Sequence, residues 1–482
     1  MGNVKFSSGE QIPLEMHKVR VVQKLNLLPV EQRQDALYRA GFNTFLLKNN
    51  EVFLDMLTDS GVNAMSDNQL AAMMRADDSY AGSETFYRLE KQLQNVFGML
   101  YFLPAHQGRA CENIIAHTLV KQDQITLMNF HFTTTKALIT YMGGSVEELV
   151  IDEGLKVSSD HPFKGNMNLE KLEARIQELT PEKISFIRLE AGTNLIGGQP
   201  ISMENIRAVS AISRKHSIPF VLDASLLSDN LYFIKVREPE FRDKPLLEIT
   251  RELGELCDII YFSARKLGCA RGGAILTNSP RLHEEMRAFI PLFEGFITYG
   301  GMSVREMEIL AVGLEETLDM EVIEQTPIFI DELAKELEKN GVPVVTPHGG
   351  LGCHINASAF VDHIPQAEYP AGALAAAIYL TSGVRAMERG TLSEQRNPDG
   401  SEHLSEMELV RLAIPKRVFT LSQIKYVADR ISWLYQNRTM IQGLEFTEEP
   451  DVLRFFFGRL KETTPWADSL SRKFRDDFND SL

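Results

Sequence analysis

Asp258-Ile259-Ile260-Tyr261-Phe262-Ser263-Ala264-Arg265-Lys266 decides how this chain folds: an apolar run of strand length ends in Ser-x-x-Lys, with a glycine pair, Gly272-Gly273, close behind. A lysine at a strand's end is a candidate Schiff-base amine. A second apolar run, Phe220-Val221-Leu222-Asp223-Ala224-Ser225, ends in a lone carboxylate 43 residues before Lys266. Ligands in open α/β sheets bind outside the carboxyl ends of the strands, so two such strands side by side place Asp223 and Lys266 around one ligand. Each residue alone reads as ordinary, Asp223 as a helix cap and Lys266 as a solvated lysine. Together they suit pyridoxal phosphate, whose aldehyde needs a lysine, whose ring nitrogen needs an acid, and whose phosphate needs a set of donors.

A chain of 482 residues suggests two to four domains, and 44% apolar with 24% charged residues is ordinary globular composition. Fifty basic against 66 acidic residues give a net charge of -16, which disfavours nucleic acid and anionic membranes as partners. A small-molecule enzyme is the better default. Cys111, Cys257, Cys269 and Cys353 lack zinc-binding spacing and read as reduced thiols. No secretory leader or membrane-length apolar run is visible, and Gly2 opens no myristoylation signal because position 6 is Phe. The expectation is a cytoplasmic enzyme.

Outward from the two strands, residues 14–40 read as one helix, an N-terminal arm. Asp77-Asp78-Ser79-Tyr80-Ala81-Gly82-Ser83-Glu84 reads as a small polar loop in which Tyr80 offers a proton donor or simply packs. His106-Gln107-Gly108-Arg109 follows an apolar run and precedes a helix over 112–120, a plausible phosphate cradle at a helix N-terminus. Phe132-Thr133-Thr134-Thr135 reads equally as a strand edge, and His131 before it as a packed histidine. Residues 183–190 alternate as a strand, helices over 203–215 and 245–255 lead into the Asp223 and Lys266 strands, and 272–278 adds another strand. Repeated β-α-β implies a mostly parallel sheet. A long amphipathic helix over 321–340 then opens a smaller α+β domain that includes a helix over 371–381, and Trp466, Phe474 and Phe478 dock the polar tail. The expected division is an arm at 1–64, partly packed on the small domain, a large cofactor domain at 65–320 and a small domain at 321–482.

With Ser60-Gly61-Val62-Asn63-Ala64-Met65-Ser66-Asp67, Tyr80-Ala81-Gly82-Ser83-Glu84, His106-Gln107-Gly108-Arg109, Gly197-Gly198-Gln199-Pro200, Thr298-Tyr299-Gly300-Gly301 and Arg411-Leu412-Ala413-Ile414-Pro415 in view, the chain resembles the tyrosine phenol-lyase and tryptophanase family of β-eliminating lyases. The resemblance implies the aspartate-aminotransferase fold (fold type I), a homotetramer with active sites at subunit interfaces, and dependence on a monovalent cation, K+. It assigns Lys266 to carry the cofactor and take the α-proton, Asp223 to the ring nitrogen, and Gln107, Gly108, Arg109 and Ser263 to the phosphate. Phe132 stacks on the ring, Asn194 and Arg411 bind the substrate carboxylate, and Tyr80 protonates the leaving group. Gly383-Val384-Arg385-Ala386-Met387-Glu388-Arg389-Gly390 leans toward the phenol-lyase branch, with Arg389 and Thr133 addressing a phenol ring and Phe455-Phe456 standing where tryptophanases carry a histidine.

The chain also departs from that pattern. Leu226 stands where the family has an arginine directed at the cofactor's phenolic oxygen, with Arg271 as one source of compensation. Arg265-Lys266-Leu267 replaces Lys-Lys-Asp, the following loop is two residues shorter, and Asp78 replaces a glutamate, so a cation site at Gly61 and Asp78 is in doubt. The leading expectation is cleavage of a tyrosine-like amino acid to pyruvate, ammonia and a phenol. The runner-up is β-elimination or replacement on a cysteine-type or modified aromatic amino acid. A non-catalytic homologue is disfavoured because Lys266, Asp223 and Tyr80 are all present.

Overall fold

The computed structural model describes residues 3–479; Gly2 and residues 480–482 of the tail lie outside the described residues. Two compact units emerge, Ser60–Gly154 with His161–Pro327, and Met1–Asp59 with Leu155–Asp160 and Ile328–Leu482.

The first unit is built on seven strands: β1 (Tyr101–Ala105), β2 (Ile125–Met128), β3 (Ser145–Glu148), β4 (Ile184–Glu190), β5 (Phe220–Asp223), β6 (Ile259–Ser263) and β7 (Gly273–Thr277). Their order across the sheet is β1-β7-β6-β5-β4-β2-β3. Only β7 runs antiparallel to its neighbours; every other pairing is parallel. Parallel neighbours need crossovers, and helices supply them: α1 (Gly108–Leu119), α2 (Thr133–Tyr141), α3 (Leu169–Leu179), α4 (Met203–His216), α5 (Leu227–Arg237) and α6 (Leu246–Leu256). Asn168 caps α3 by accepting from the Lys171 amide, and Ser202 caps α4 by accepting from that of Asn205. The alternation expected in β4 exists in residue type but not in exposure, since all seven of its residues are buried. A central strand covered on both faces has no water-facing side.

The second unit holds a three-stranded antiparallel sheet of β8 (Gly352–Asn356), β9 (Met387–Arg389) and β10 (Leu409–Ala413), with β10 in the middle. Helix α7 (Pro370–Ser382) is buried along its whole length, which its run of alanines permits by letting neighbours approach from every side. The tail forms α8 (Trp466–Phe478), with Trp466 and Phe474 buried and Phe478 packed on the same core.

Two expected helices differ. Residues 14–29 are not helical, and a helix begins only at Val30, behind Pro29. A proline lacks the donor that a helix interior needs but suits a helix's start. The helix expected over 321–340 is two, Met320–Ile323 and Gln325–Lys339, and the second places Pro327 in its first turn.

Candidate active site

Lys266 lies on the single turn Ala264–Leu267 that follows β6. The backbone here is held from several sides: Asn63 Nδ2 donates to the Arg265 carbonyl at 2.8 Å, Gln69 Nε2 to that of Gly268 at 2.8 Å, and Thr317 Oγ1 to that of Leu267 at 2.6 Å. The Ala264 amide donates to Gly272, closing the loop onto β7. Lys266 Nζ lies 5.6 Å from the centroid of the Phe132 ring. The strand-end lysine and the aromatic residue ahead of α2 therefore face one space.

Asp223 ends β5, beside β6 on one side and Glu190 of β4 on the other. Its carboxylate is buried and fully engaged on one oxygen. Oδ2 accepts from Arg188 Nη2 at 2.6 Å and from the Tyr261 hydroxyl at 2.9 Å, while Oδ1 accepts from the Ser225 amide at 2.9 Å. Arg188 Nε also donates to the Tyr261 hydroxyl at 3.1 Å, and its Nη1 stands 3.5 Å from Glu190 Oε2. The Tyr261 hydroxyl is 3.5 Å from Glu112 Oε1, and Glu112 accepts from Thr134 and Thr135. Burial works against the Arg188 charge, but Tyr261, Asp223, Glu190 and Glu112 outweigh it and keep the guanidinium protonated. Glu190 is pushed up to about 7, by burial first and by Asp223, against the lowering effects of Arg188, the Asn194 amide and Lys266. Asn194 enters the site through its backbone, which donates to Glu190 Oε1 at 3.2 Å.

The close meeting of α1 and β6 is a consequence of one missing side chain. A Cβ on Gly108 would come within 2.9 Å of Ser263 Cβ, so only glycine lets the first turn of α1 meet the end of β6. Gln107, Gly108 and Ser263 are thereby brought together, and the Ser263 amide donates to Ser225 Oγ at 3.0 Å. Arg109 follows in the same turn with an exposed side chain. Amides at a helix start and a strand-end hydroxyl suit a phosphate. Thr133 Oγ1, buried at the start of α2, has no hydrogen-bond partner among the described residues, as expected of a group meant for a ligand. These residues fit pyridoxal phosphate.

In the second unit, Arg389, Arg411 and His354 share one face of the small sheet: His354 pairs with Arg411, Arg411 with Met387, and Arg389 with Leu409. All three are buried. Arg411 Nη2 donates to the Leu57 carbonyl at 2.6 Å and to Met387 Sδ at 2.9 Å. His354 is pushed down to about 3 by burial and then by Arg411 and Arg389. The carboxyl of Glu388, next to Arg389 in the chain, is buried too, bonded to Ser393 and the Gly390 amide, and pushed up to about 8 by burial. Phe455 and Phe456 pack with Phe45, at 5.6 and 5.0 Å between ring centroids.

Other expected residues stand apart from this geometry. Tyr80 is 61% exposed, its ring against Phe296 and Tyr299 and its carbonyl bonded by Thr298. Asp78 is exposed, and Gly61 has the Arg265 guanidinium against it, with Nη1 2.5 Å from where a Cβ would stand. Leu226 is buried and packs against Gly192, where a Cβ would come within 2.9 Å of its own. Arg271 is exposed, with its amide bonded to Glu306. The buried guanidinium beside the site is Arg188, which falls on the alternating strand β4 two residues before Glu190.

The chain matches the model of the β-eliminating lyase family over residues 55–430. It is 43% identical over 451 residues to a tyrosine phenol-lyase of Lacrimispora saccharolytica, spanning 93% of this chain and 96% of that one. A tyrosine phenol-lyase of Pasteurella multocida is 40% identical over 451 residues, spanning 93% and 98%. Among solved structures, a serine palmitoyltransferase of Sphingomonas wittichii matches with a TM-score of 0.56 at 12% identity, over 82% of this chain and 90% of that one. That likeness is one of fold, the fold type I arrangement of a mostly parallel sheet with helices.

Proposed function

From the premise that this chain belongs to the β-eliminating lyase family and is a pyridoxal-phosphate-dependent lyase, we propose that it cleaves a tyrosine-like L-amino acid to pyruvate, ammonia and a phenol. The observation that carries this reading is Lys266 Nζ facing the Phe132 ring beside a buried Asp223. Gln107, Gly108, Arg109 and Ser263 would hold the phosphate, Phe132 the ring face and Asp223 the ring nitrogen, with Asn194 alongside. Bound pyridoxal phosphate supplies the electron sink that makes the substrate's α-proton acidic.

The chain's own residues do the rest. Arg411 with Asn194 orients the substrate by its carboxylate, and Lys266 Nζ takes the α-proton. Tyr80 gives its hydroxyl proton to the ring carbon as the bond from Cβ breaks, and the three-carbon fragment takes up water to leave as pyruvate and ammonia. Arg389 and Thr133 hold the polar end of the leaving group, against an apolar wall that includes Phe455 and Phe456. Since Tyr80 is largely exposed against Phe296, which is exposed too, this reading includes a homo-oligomer that covers them. A cytoplasmic setting suits a chain whose four cysteines are all buried.

At Gly61, one of the two positions assigned to K+, a cation already stands close, the Arg265 guanidinium. Like charges at short range repel, so K+ is dispensable on this reading. Turnover should survive replacement of K+ by tetramethylammonium, and a strict requirement for K+ would return Gly61 to the cation.

The substrate test is a contrast of two leaving groups. A site built to bond a hydroxyl rejects analogues lacking it by about 10⁴-fold in favourable cases, because buried donors are left unpaired. Arg389→Ala should abolish elimination from tyrosine while sparing S-alkylcysteines, with pyruvate and ammonia measured on both. Equal loss on both substrates would make Arg389 structural and remove the case for a phenol leaving group.

A further inference from the structure

The carboxylate assigned to the ring nitrogen is already committed inside the chain. A carboxylate offers about four acceptor sites. On Asp223, both sites of Oδ2 are taken by Arg188 and Tyr261, and one of Oδ1 by the Ser225 amide. A single site on Oδ1 remains. The charge is committed as well, since Arg188 Nη2 stands 2.6 Å from Oδ2.

We propose that Arg188, with Tyr261, is a positioning residue that loosens the grip of Asp223 on the cofactor's ring nitrogen. A pyridinium proton facing a lone buried carboxylate is held firmly. Facing a carboxylate that already balances a guanidinium, it meets a pair of no net charge, in which the guanidinium's repulsion offsets much of the carboxylate's attraction. The ring nitrogen then gains or loses its proton within the working pH range, and the electron-withdrawing power of the ring is set by the cluster. The inference rests on the reading that pyridoxal phosphate is carried by Lys266.

The groups that face Asp223 from every packed element belong to this account. From β4 come Arg188 and Glu190, from β6 Tyr261, and from α1 Glu112 and the Cys111 thiol, while Lys266, on the turn after β6, acts on Glu190. Burial raises the Cys111 thiol well above its ordinary range, so it stays neutral. Glu112 is pushed up by burial and by Asp223, against Arg188 and the two threonine hydroxyls. Glu190 titrates near neutrality at about 7. As it ionises it restores the negative charge that Arg188 cancels, so Glu190 couples the ring nitrogen to pH from the neighbouring strand.

A merely structural role for the ion pair, tying β4 to β5, makes a different prediction. Breaking a buried pair costs stability whatever sits nearby, but it leaves the ring nitrogen's titration where it was. The experiment is therefore spectroscopic. Wild type, Arg188→Met, Arg188→Lys and Tyr261→Phe are loaded with pyridoxal phosphate carrying ¹⁵N in the ring, and the nitrogen chemical shift is followed with pH alongside the visible band.

In Arg188→Met the nitrogen should keep its proton to higher pH, its midpoint moving up by about 1 unit or more. Tyr261→Phe should move it the same way by less, and Arg188→Lys should return it toward wild type. If Arg188→Met fails to fold, the other two variants decide. An unchanged nitrogen titration in the loaded variants, with only thermal stability lost, overturns the inference and leaves the reading of the site intact. If borohydride reduction of the wild type fixes no cofactor on Lys266, the reading of the site and the inference fall together.

Discussion

Two buried clusters, one in each unit, hold guanidinium groups against titratable neighbours, and the neighbours respond in opposite ways. Around Arg188 the companions are carboxyls, and Glu190 is an acid held back from ionising by burial, with Arg188 pulling the other way and Asp223 adding to burial. Around Arg389 and Arg411 the companion is His354, a base stripped of its charge by burial and then by those two arginines. The first cluster resists gaining negative charge and the second resists gaining positive charge. In the second, the two arginines add to burial, which suits an incoming carboxylate or phenol oxygen; in the first, Arg188 works against burial and keeps Glu190 close to ionising. Burial leads in both clusters, and they differ in whether the arginines oppose it, as at Glu190, or reinforce it, as at His354.

The contrast gives the two clusters opposite effects on stability against pH. For His354 the folded-state value of about 3 lies below the ordinary 6.5. Its contribution is present above pH 6.5 and lost as pH falls toward 3, by at most about 5 kcal/mol. His354→Gln should flatten the acid side of the stability profile measured by urea unfolding. For Glu190 the value of about 7 lies above the ordinary 4.5. Its contribution is present below pH 4.5 and lost as pH rises through 7, by at most about 3 kcal/mol. Glu190→Gln should flatten the neutral side by that smaller amount. If both variants altered the same side of the profile, the opposition between the clusters would be gone.

Asp223 and Lys266 were legible because each ends an apolar run, and a charge at the end of a buried strand has few explanations. Arg188 and Glu190 were not, because in Ile184–Glu190 they fall two apart, as residues on a water-facing side do. Period-two alternation reports that one side of a strand is polar without reporting what that side meets. Here it meets Asp223 and Tyr261 rather than solvent. Of the helix expected over 14–40 only Val30–Arg39 forms, with Pro29 at its start, because a proline lacks the donor that a helix interior needs. The placement of Leu226 against Gly192 depends on two loops meeting, which no single stretch encodes.

The clamp on the Lys266 turn has a consequence for motion. Three side chains, from Asn63, Gln69 and Thr317, hold the carbonyls of Arg265, Gly268 and Leu267, and the loop is tied to β7 at Gly272. The backbone is thus a fixed anchor, and any travel of the amine comes from rotation about the bonds of its own side chain. Such rotations run on picosecond to nanosecond timescales, against microseconds or longer for loop and domain movements. An amine that releases one partner and picks up a proton from another can therefore reset many times within a single opening of a slower segment. The pace of turnover is left to whatever moves more slowly than the lysine.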